Sequence, residues 1–461
     1  MVLTQALPIS YTFNSPIISS TNHSTDKSTE IESQINENSQ EQWWKCWTRD
    51  MNRNKVDDAI EYKISTGRYA TNDNLTLLVD YDHKPNLMDI QNLNSDGAEV
   101  VYVAKYIDTI IVHMNFMDVS KLTKRPEVVM IEDNTEFTIT LDTAVPSIGA
   151  DKAKKDFGAN GKGVTVAVID TGIDAKHMSL DDMDDNPLTN DSKVIGWYDV
   201  INNRLTPYDD NGHGSHCSGI IAGTGAPSKK YVGVAPGAKL VGVKVLSSAG
   251  SGSNTGVIQG VEWVIDNKNK YNISVISMSL GSQAIPFITN NGRSAESRLL
   301  DTAMDKGITV VVAAGNAGPR YETIGPPGDA EKVITVGSVR DNHILSTYSS
   351  RGPVGIPGHM YVKPDVCAPG ENVISVKANS LNDYTSASGT SMATPMTAGT
   401  VALILHAKPS LTPTEVKNYL TKNAGQDKKI GTQQTPNNDY GWGVINAYAT
   451  IKEITGGKPC C

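Results

Sequence analysis

Five almost unbroken apolar runs limit the fold of this chain more than any other feature. VTVAVID (164–170), KLVGVKV (239–245), ISVISMS (273–279), ITVVVAA (308–314) and KVITVGS (332–338) each have the length and branched bulk of a strand. A strand with one face in water alternates apolar and polar residues, whereas a continuous run is expected of a strand covered on both faces. Helical patterns fit between and after them at 213–223, 253–269, 295–306, 390–406 and 412–423. The last opens with Thr412 as N-cap, Pro413 at the first helical position and Glu415 three residues after the cap. This alternation predicts an α/β fold with a doubly wound, mostly parallel sheet. In such sheets ligands bind beyond the carboxyl ends of the strands.

The chain has 461 residues, a length that suggests two or three domains. Residues 1–52 are rich in Ser, Thr, Asn, Gln and Glu and read as a disordered polar leader. Residues 53–141, with NLTLLVDY, AEVVYVAKYI, TIIVHMN and VVMIED, read as a small α+β domain on an antiparallel sheet. The parallel-sheet domain is expected over 142–455, with a short tail at 456–461. The net charge of −9 and the lack of a Lys/Arg cluster speak against nucleic-acid binding. No segment is long and apolar enough for a membrane span, and the N-terminus shows no signal-peptide pattern. The five cysteines are too scattered for a disulfide framework. Cys217 and Cys367 read as small buried hydrophobes. Cys460 and Cys461 resemble a prenylation end only superficially and read as part of a disordered tail.

Four short blocks place reactive side chains near the expected binding rim. Asp170 ends the first strand in AVIDTGID; alone, such an acid is more often a turn former or cap. In DNGHGSHCSGIIAG, His213 opens an apolar helical stretch between Gly212 and Gly214. That arrangement suggests a second backbone passing close to the ring. With His216 three positions on and no third ligand near, the pair is a weak zinc signal. Asn316, in VVVAAGNAGP, places a carboxamide at the end of another buried strand. In SASGTSMATPMTAG, Ser391 stands among small residues where a buried helix begins. The free N–H groups and positive end of that helix favour an oxyanion beside it. Pro395 is expected to be tolerated there because early helix N–H groups have no acceptor to lose. A serine hydroxyl is a poor nucleophile unless a base takes its proton. His213 can serve as that base, Asp170 can orient it, and Asn316 can donate to the oxyanion.

AVIDTGID, NGHGSHCSG, AAGNAGP and GTSMATP resemble, in order, the four signature blocks of the subtilisin-like serine peptidases, over about 142–450. The chain order Asp…His…Ser is theirs. The resemblance implies a serine endopeptidase with Asp170, His213 and Ser391 as the triad and Asn316 as oxyanion donor. Ser215 stands where Thr is commoner in the family, and Cys217 is a variant found in some members. Ser279, Leu280 and Gly281, in SMSLGS, would line the primary pocket and pair with the substrate backbone. Gly250, Ser251 and Gly252 would form the opposing segment. The pocket floor would involve Ala313, Ala314, Gly315 and Gly325, and with no acid among them, large apolar side chains are expected before the cut bond. The α+β domain resembles a propeptide that assists folding, occupies the cleft as an inhibitor and is cut off near 135–145; the other reading is a permanent N-terminal domain. Protein or peptide substrates are the partners implied. No catalytic cofactor is implied. The resemblance does allow a structural Ca²⁺, for which the acidic loops 181–191 and 207–214 come into question with no ligands assigned. Secretion is the family habit. A peptide ligase, told apart by product masses, and a non-catalytic peptide-binding module, told apart by failure of a fluorophosphonate to label Ser391, are the rival functions.

Overall fold

The computed structural model describes residues 50, 53–65, 69–134, 136–137, 145–184, 186, 189, 191–285, 289–425 and 435–460. The polar leader apart from Asp50, most of segment 135–145, and Cys46 and Cys461 lie outside the described residues.

Near the N-terminus, helices α1 (Asp58–Ser65) and α2 (Leu87–Ser95) accompany strands β1 (Asn74–Tyr81), β2 (Glu99–Val103), β3 (Thr109–Asn115) and β4 (Val128–Asp133). The strands form an antiparallel sheet of order β2-β3-β1-β4. Leu77, Val79, Ile110 and Val112 share a core with Ile60 and Leu93 from the two helices. Leu78 and Ile111, one residue out of phase, belong instead to a core of the following domain. The sheet is therefore buried on both faces.

In the large domain the strands are β5 (Thr165–Asp170), β6 (Val194–Asp199), β7 (Lys239–Lys244), β8 (Ile273–Met278), β9 (Thr309–Ala313), β10 (Ile334–Val339) and β11 (Val366–Pro369). Its helices are α3 (Ala150–Phe157), α4 (His213–Ala222), α5 (Asn254–Tyr271), α6 (Ala295–Asp305), α7 (Thr390–Ala407), α8 (Pro413–Asn423) and α9 (Ala447–Thr455). The sheet order is β11-β10-β9-β8-β5-β7-β6, and every pairing in it is parallel. Successive strand residues face opposite sides, and each side has its own core. Val166 and Val168 pack with Ile221, Met392 and Met396 of α4 and α7. Ala167 and Ile169 pack with Val257, Val261 and Leu299 of α5 and α6. The continuous apolar runs exist because both cores must be filled.

Five of the seven strands coincide with those runs. The two that the apolar pattern does not reveal are the edges. β6 (VIGWYD) is only half-buried, and β11 (VCAP) has four residues. α3 and α9 were not among the expected helices either. They are fastened to each other: Phe157 and Tyr448 rings lie 5.3 Å apart, and the Cys460 N–H donates to Phe157 O at 2.6 Å. Among the described residues, no helix is long and apolar enough to cross a membrane.

Candidate active site

The strand order reverses at β5, whose neighbours β7 and β8 lead the chain to opposite sides, and Asp170 is the last residue of β5. His213 opens α4, Ser391 is the second residue of α7, and Asn316 lies three residues beyond β9. Asp170, His213 and Ser391 are all buried. Asp170 Oδ1 accepts from His213 Nδ1 at 2.7 Å and from the Thr171 N–H at 2.7 Å. Because the carboxylate can only accept, Nδ1 carries the proton, and in the neutral ring Nε2 keeps its lone pair. Burial is the largest single influence and opposes the charged imidazole, but the Asp170 carboxylate and the Cys217 sulfur together raise the His213 pKa well above 6.5.

His213 is placed by a residue that the motif reading passed over. Asp209 Oδ1 accepts from Thr171 Oγ1 at 2.9 Å, Gly212 N at 2.8 Å and Asn211 N at 3.1 Å. Its Oδ2 accepts from Ser215 N at 2.9 Å and Ser215 Oγ at 2.7 Å. One buried carboxylate thus takes the Gly212 and Ser215 N–H groups at the start of α4 and, through Thr171 Oγ1, ties them to the chain just after Asp170. The signal was present as an acid four residues before the histidine. The two flanking glycines do different work. A Cβ at Gly214 would lie 2.2 Å from Gly172 O, so here a second backbone does pass close by. A Cβ at Gly212 would meet only Ala378 Cβ, at an ordinary 3.7 Å, but the φ of +109° would strain a side chain.

Ser391 Oγ donates to Ser279 O at 3.2 Å, and Ser279 Oγ donates to Ser391 O at 2.7 Å. The second bond corrects the expectation for Pro395. This proline is the sixth residue of α7, past the four free N–H groups, so it deprives the Ser391 carbonyl of its helical donor. The Ser279 hydroxyl fills that role, with the Cys217 thiol at 3.5 Å from the same oxygen. Cys217 Sγ also lies 3.9 Å and 4.0 Å from the two His213 ring nitrogens. In this structure the Ser391 hydroxyl is engaged with Ser279 O rather than with His213 Nε2, and catalytic hydrogen bonds of this kind often form only when substrate binds.

Asn316 Oδ1 accepts from Thr390 N at 2.9 Å and Thr390 Oγ1 at 3.1 Å, which identifies its amide nitrogen as the group that can donate. Beside Ser391 lies a cavity of about 350 Å³. Leu280, Gly281, Ala313, Ala314, Gly315 and Gly325 line it with Asn316 and Ser391, and no charged residue does so among the described residues. Ser279 touches Ser391 rather than the cavity. In the segment expected to oppose it, Ser247 N donates to Ser251 O at 2.8 Å and Gly250 N to Ser247 O at 2.9 Å, a turn leading into the two-residue strand Gly252–Ser253. That strand pairs antiparallel with Glu136–Phe137.

His216 does not join His213 in a metal site. Its Nε2 lies 3.1 Å from Val373 O and 3.2 Å from Thr385 O, and burial pushes its pKa down to about 4. Of the two acidic loops, 207–214 has its carboxylates engaged: Asp209 as above, and Asp210 with Lys244 at 2.6 Å. In the other, ligand atoms of Asp182, Asp184 and Asp191 lie within 4.8 Å of one another.

Residues 161–443 match the model of the Subtilase family. Serine protease AprX of Bacillus subtilis (strain 168) is 43% identical over 343 residues, 69% of this chain and 73% of that protein. Subtilisin DY of Bacillus licheniformis is 36% identical over 315 residues, 68% of this chain and 99% of that protein. Subtilisin E of Bacillus subtilis (strain 168) is 33% identical over 366 residues, 78% of this chain and 85% of that protein. With this breadth of likeness over the parallel-sheet domain, the chain belongs to the subtilase family and is a serine endopeptidase.

Proposed function

We propose that this endopeptidase cuts proteins through an acyl-enzyme formed on Ser391, and that it is made as a zymogen whose N-terminal domain is removed by the enzyme's own action. The observation that carries the reading is the 2.7 Å bond between the buried Asp170 carboxylate and His213 Nδ1. A substrate strand lies between Gly250–Gly252 and Ser279–Gly281, held by main-chain hydrogen bonds. His213 Nε2 takes the Ser391 proton as Oγ attacks the scissile carbonyl. The Asn316 amide and the Ser391 N–H hold the oxyanion. The imidazolium then protonates the leaving amine, and water resolves the ester by the reverse sequence. The uncharged cavity supports a preference for large apolar residues before the cut bond.

Mass spectrometry of the purified protein, with and without a fluorophosphonate, tests this. The expected result is one adduct on Ser391, a chain shortened at its N-terminus only without the reagent, and cleavage of a mixed peptide pool after apolar residues. Absence of an adduct would refute the nucleophile, and ligated products would favour a transpeptidase. Asn316→Ala is expected to lower kcat about 10²–10³-fold, read as turnover of a chromogenic peptide by the folded variant.

The propeptide reading is supported by the strand Glu136–Phe137, which pairs with the segment assigned to substrate. Further back, Glu262 of α5 accepts from Lys105 N at 2.6 Å and Tyr106 N at 3.1 Å. Arg298 of α6 holds Asp80 at 2.9 Å and Glu132 at 2.8 Å. Burial pushes the Asp80 pKa from 3.8 up to about 7; Arg298 opposes the shift and nearby Glu132 adds to it. A group whose pKa rises on folding favours the folded state fully below its unfolded pKa and loses that contribution as pH rises through the folded value. The folded N-terminal domain in uncleaved Ser391→Ala protein is therefore expected to lose stability between about pH 4 and about pH 7, seen as faster amide exchange in β1–β4. Asp80→Asn should flatten that dependence.

Subtilases need no cofactor for the chemistry and commonly bind structural calcium. The all-oxygen set of Asp182, Asp184 and Asp191 suits a hard cation. Calcium held there would brace its loop and take no part in the reaction.

A further inference from the structure

Lys244, the last residue of β7, is fully buried, and its Cα partner in the sheet is Asp170. Its ammonium lies 2.5 Å from Thr171 O, 2.6 Å from Asp210 Oδ1 and 2.9 Å from Leu246 O, so all three hydrogens have acceptors. Each acceptor belongs to a segment that places the Asp170–His213 pair. Leu246 N donates to Asp170 O at 3.2 Å, and Val245 N to the same oxygen at 2.9 Å. Asp210 follows the carboxylate that organises the start of α4 and stands three residues before His213. Thr171 is the most telling of the three. Its N–H donates to the Asp170 oxygen that holds the imidazole, its hydroxyl joins Asp209 to the Gly214 N–H, and its carbonyl is gripped by Lys244.

A buried cation is costly to desolvate, and an apolar residue of the same length would fill the space at lower cost. It could not, however, tie two carbonyls and a carboxylate from three segments to one point. We infer that Lys244 is a positioning residue for the reaction: by fixing the Thr171 peptide and the Asp210 loop, it sets the alignment of the Asp170 carboxylate with the His213 ring. The inference rests on the roles given above to Asp170 and His213.

The test compares Lys244→Met, Lys244→Arg and Asp210→Ala in the active enzyme. Lys244→Met is expected to lower kcat about 10–10²-fold with KM within about threefold, the split expected when only the reacting geometry is disturbed. It should also move or broaden the far-downfield proton resonance of the His213 Nδ1–H. Lys244→Arg should recover part of both. Asp210→Ala removes one strut at a partly exposed position and should shift the same resonance with a smaller loss of kcat, so the question is decided even if Lys244→Met does not fold. Folded variants with kcat within twofold of wild type and an unmoved resonance, or with a loss confined to KM or to thermal stability, would overturn the inference. An Asp170→Asn control separates the two levels. If that variant keeps full activity, the triad reading falls; if it is crippled while the Lys244 and Asp210 variants are not, this inference alone falls.

Discussion

Ser391→Ala protein is expected to turn over peptide substrates about 10⁶-fold more slowly than wild type, and to remain at its full 461 residues on incubation. Alanine removes the attacking oxygen and little else. Ser391 O keeps its bond from Ser279 Oγ, the helix start is unchanged, and Ser279 O loses one acceptor contact at 3.2 Å. The fold should therefore survive, and a loss of this size cannot be assigned to unfolding if thermal midpoints agree. What activity remains would come from the oxyanion donors and substrate binding alone. Measuring length and turnover in the same sample makes the result two-sided. An inactive chain that still shortens would mean that another protease performs the maturation.

Asp170→Asn is the second large effect, a fall in kcat of about 10⁴-fold at neutral pH. The side chain keeps its shape but can now offer an N–H to His213 Nδ1. That choice moves the imidazole proton to Nε2 and removes the lone pair which Ser391 needs. The charge matters as well. With the carboxylate in place, the His213 pKa lies well above 6.5, so the neutral, basic ring is reached only as pH climbs through that raised value. Without the carboxylate the ring loses the largest influence that raises its pKa, while burial still favours its neutral form, so the acid limb of kcat/KM should move to lower pH while the plateau collapses. A variant whose plateau falls but whose acid limb stays in place would show that Asp170 orients the ring without setting its proton affinity.

The architecture was legible wherever a residue's surroundings dictate its type. Strands between two cores must be apolar throughout, and β5, β7, β8, β9 and β10 announce themselves in this way. β6 escapes because an edge strand is half-solvated and carries Gly196, Trp197 and Asp199 among its six residues. At the candidate site, Asp170, His213, Asn316 and Ser391 stand out because each sits in a short block of small residues at an element boundary. Asp209 and Lys244 do not stand out. An acid in DDNG has the composition of any solvated loop, and a lysine closing an apolar strand looks like a side chain emerging into water. Their burial results from segments that meet only in three dimensions. The Ser279 hydroxyl was hidden for a related reason: the need for it arises from Pro395, more than a hundred residues away along the chain. Pro395 is plain in the sequence, but the carbonyl it strands can be counted only once the start of α7 is known.

The clasp between α3 and α9 has a consequence for an enzyme that spends its life among molecules able to digest it. A peptide bond is cut most readily where the backbone can be drawn out and laid straight in another cleft, and loose ends are the first places where that happens. With Phe157 and Tyr448 ring against ring, and Lys152 Nζ 4.2 Å from the Tyr448 ring centre, neither helix can peel away without dragging the other out of the hydrophobic interior. Attack by a sister molecule at either place must wait for a much rarer opening, so the durability of a concentrated preparation depends on this seam as much as on the sheet beneath it.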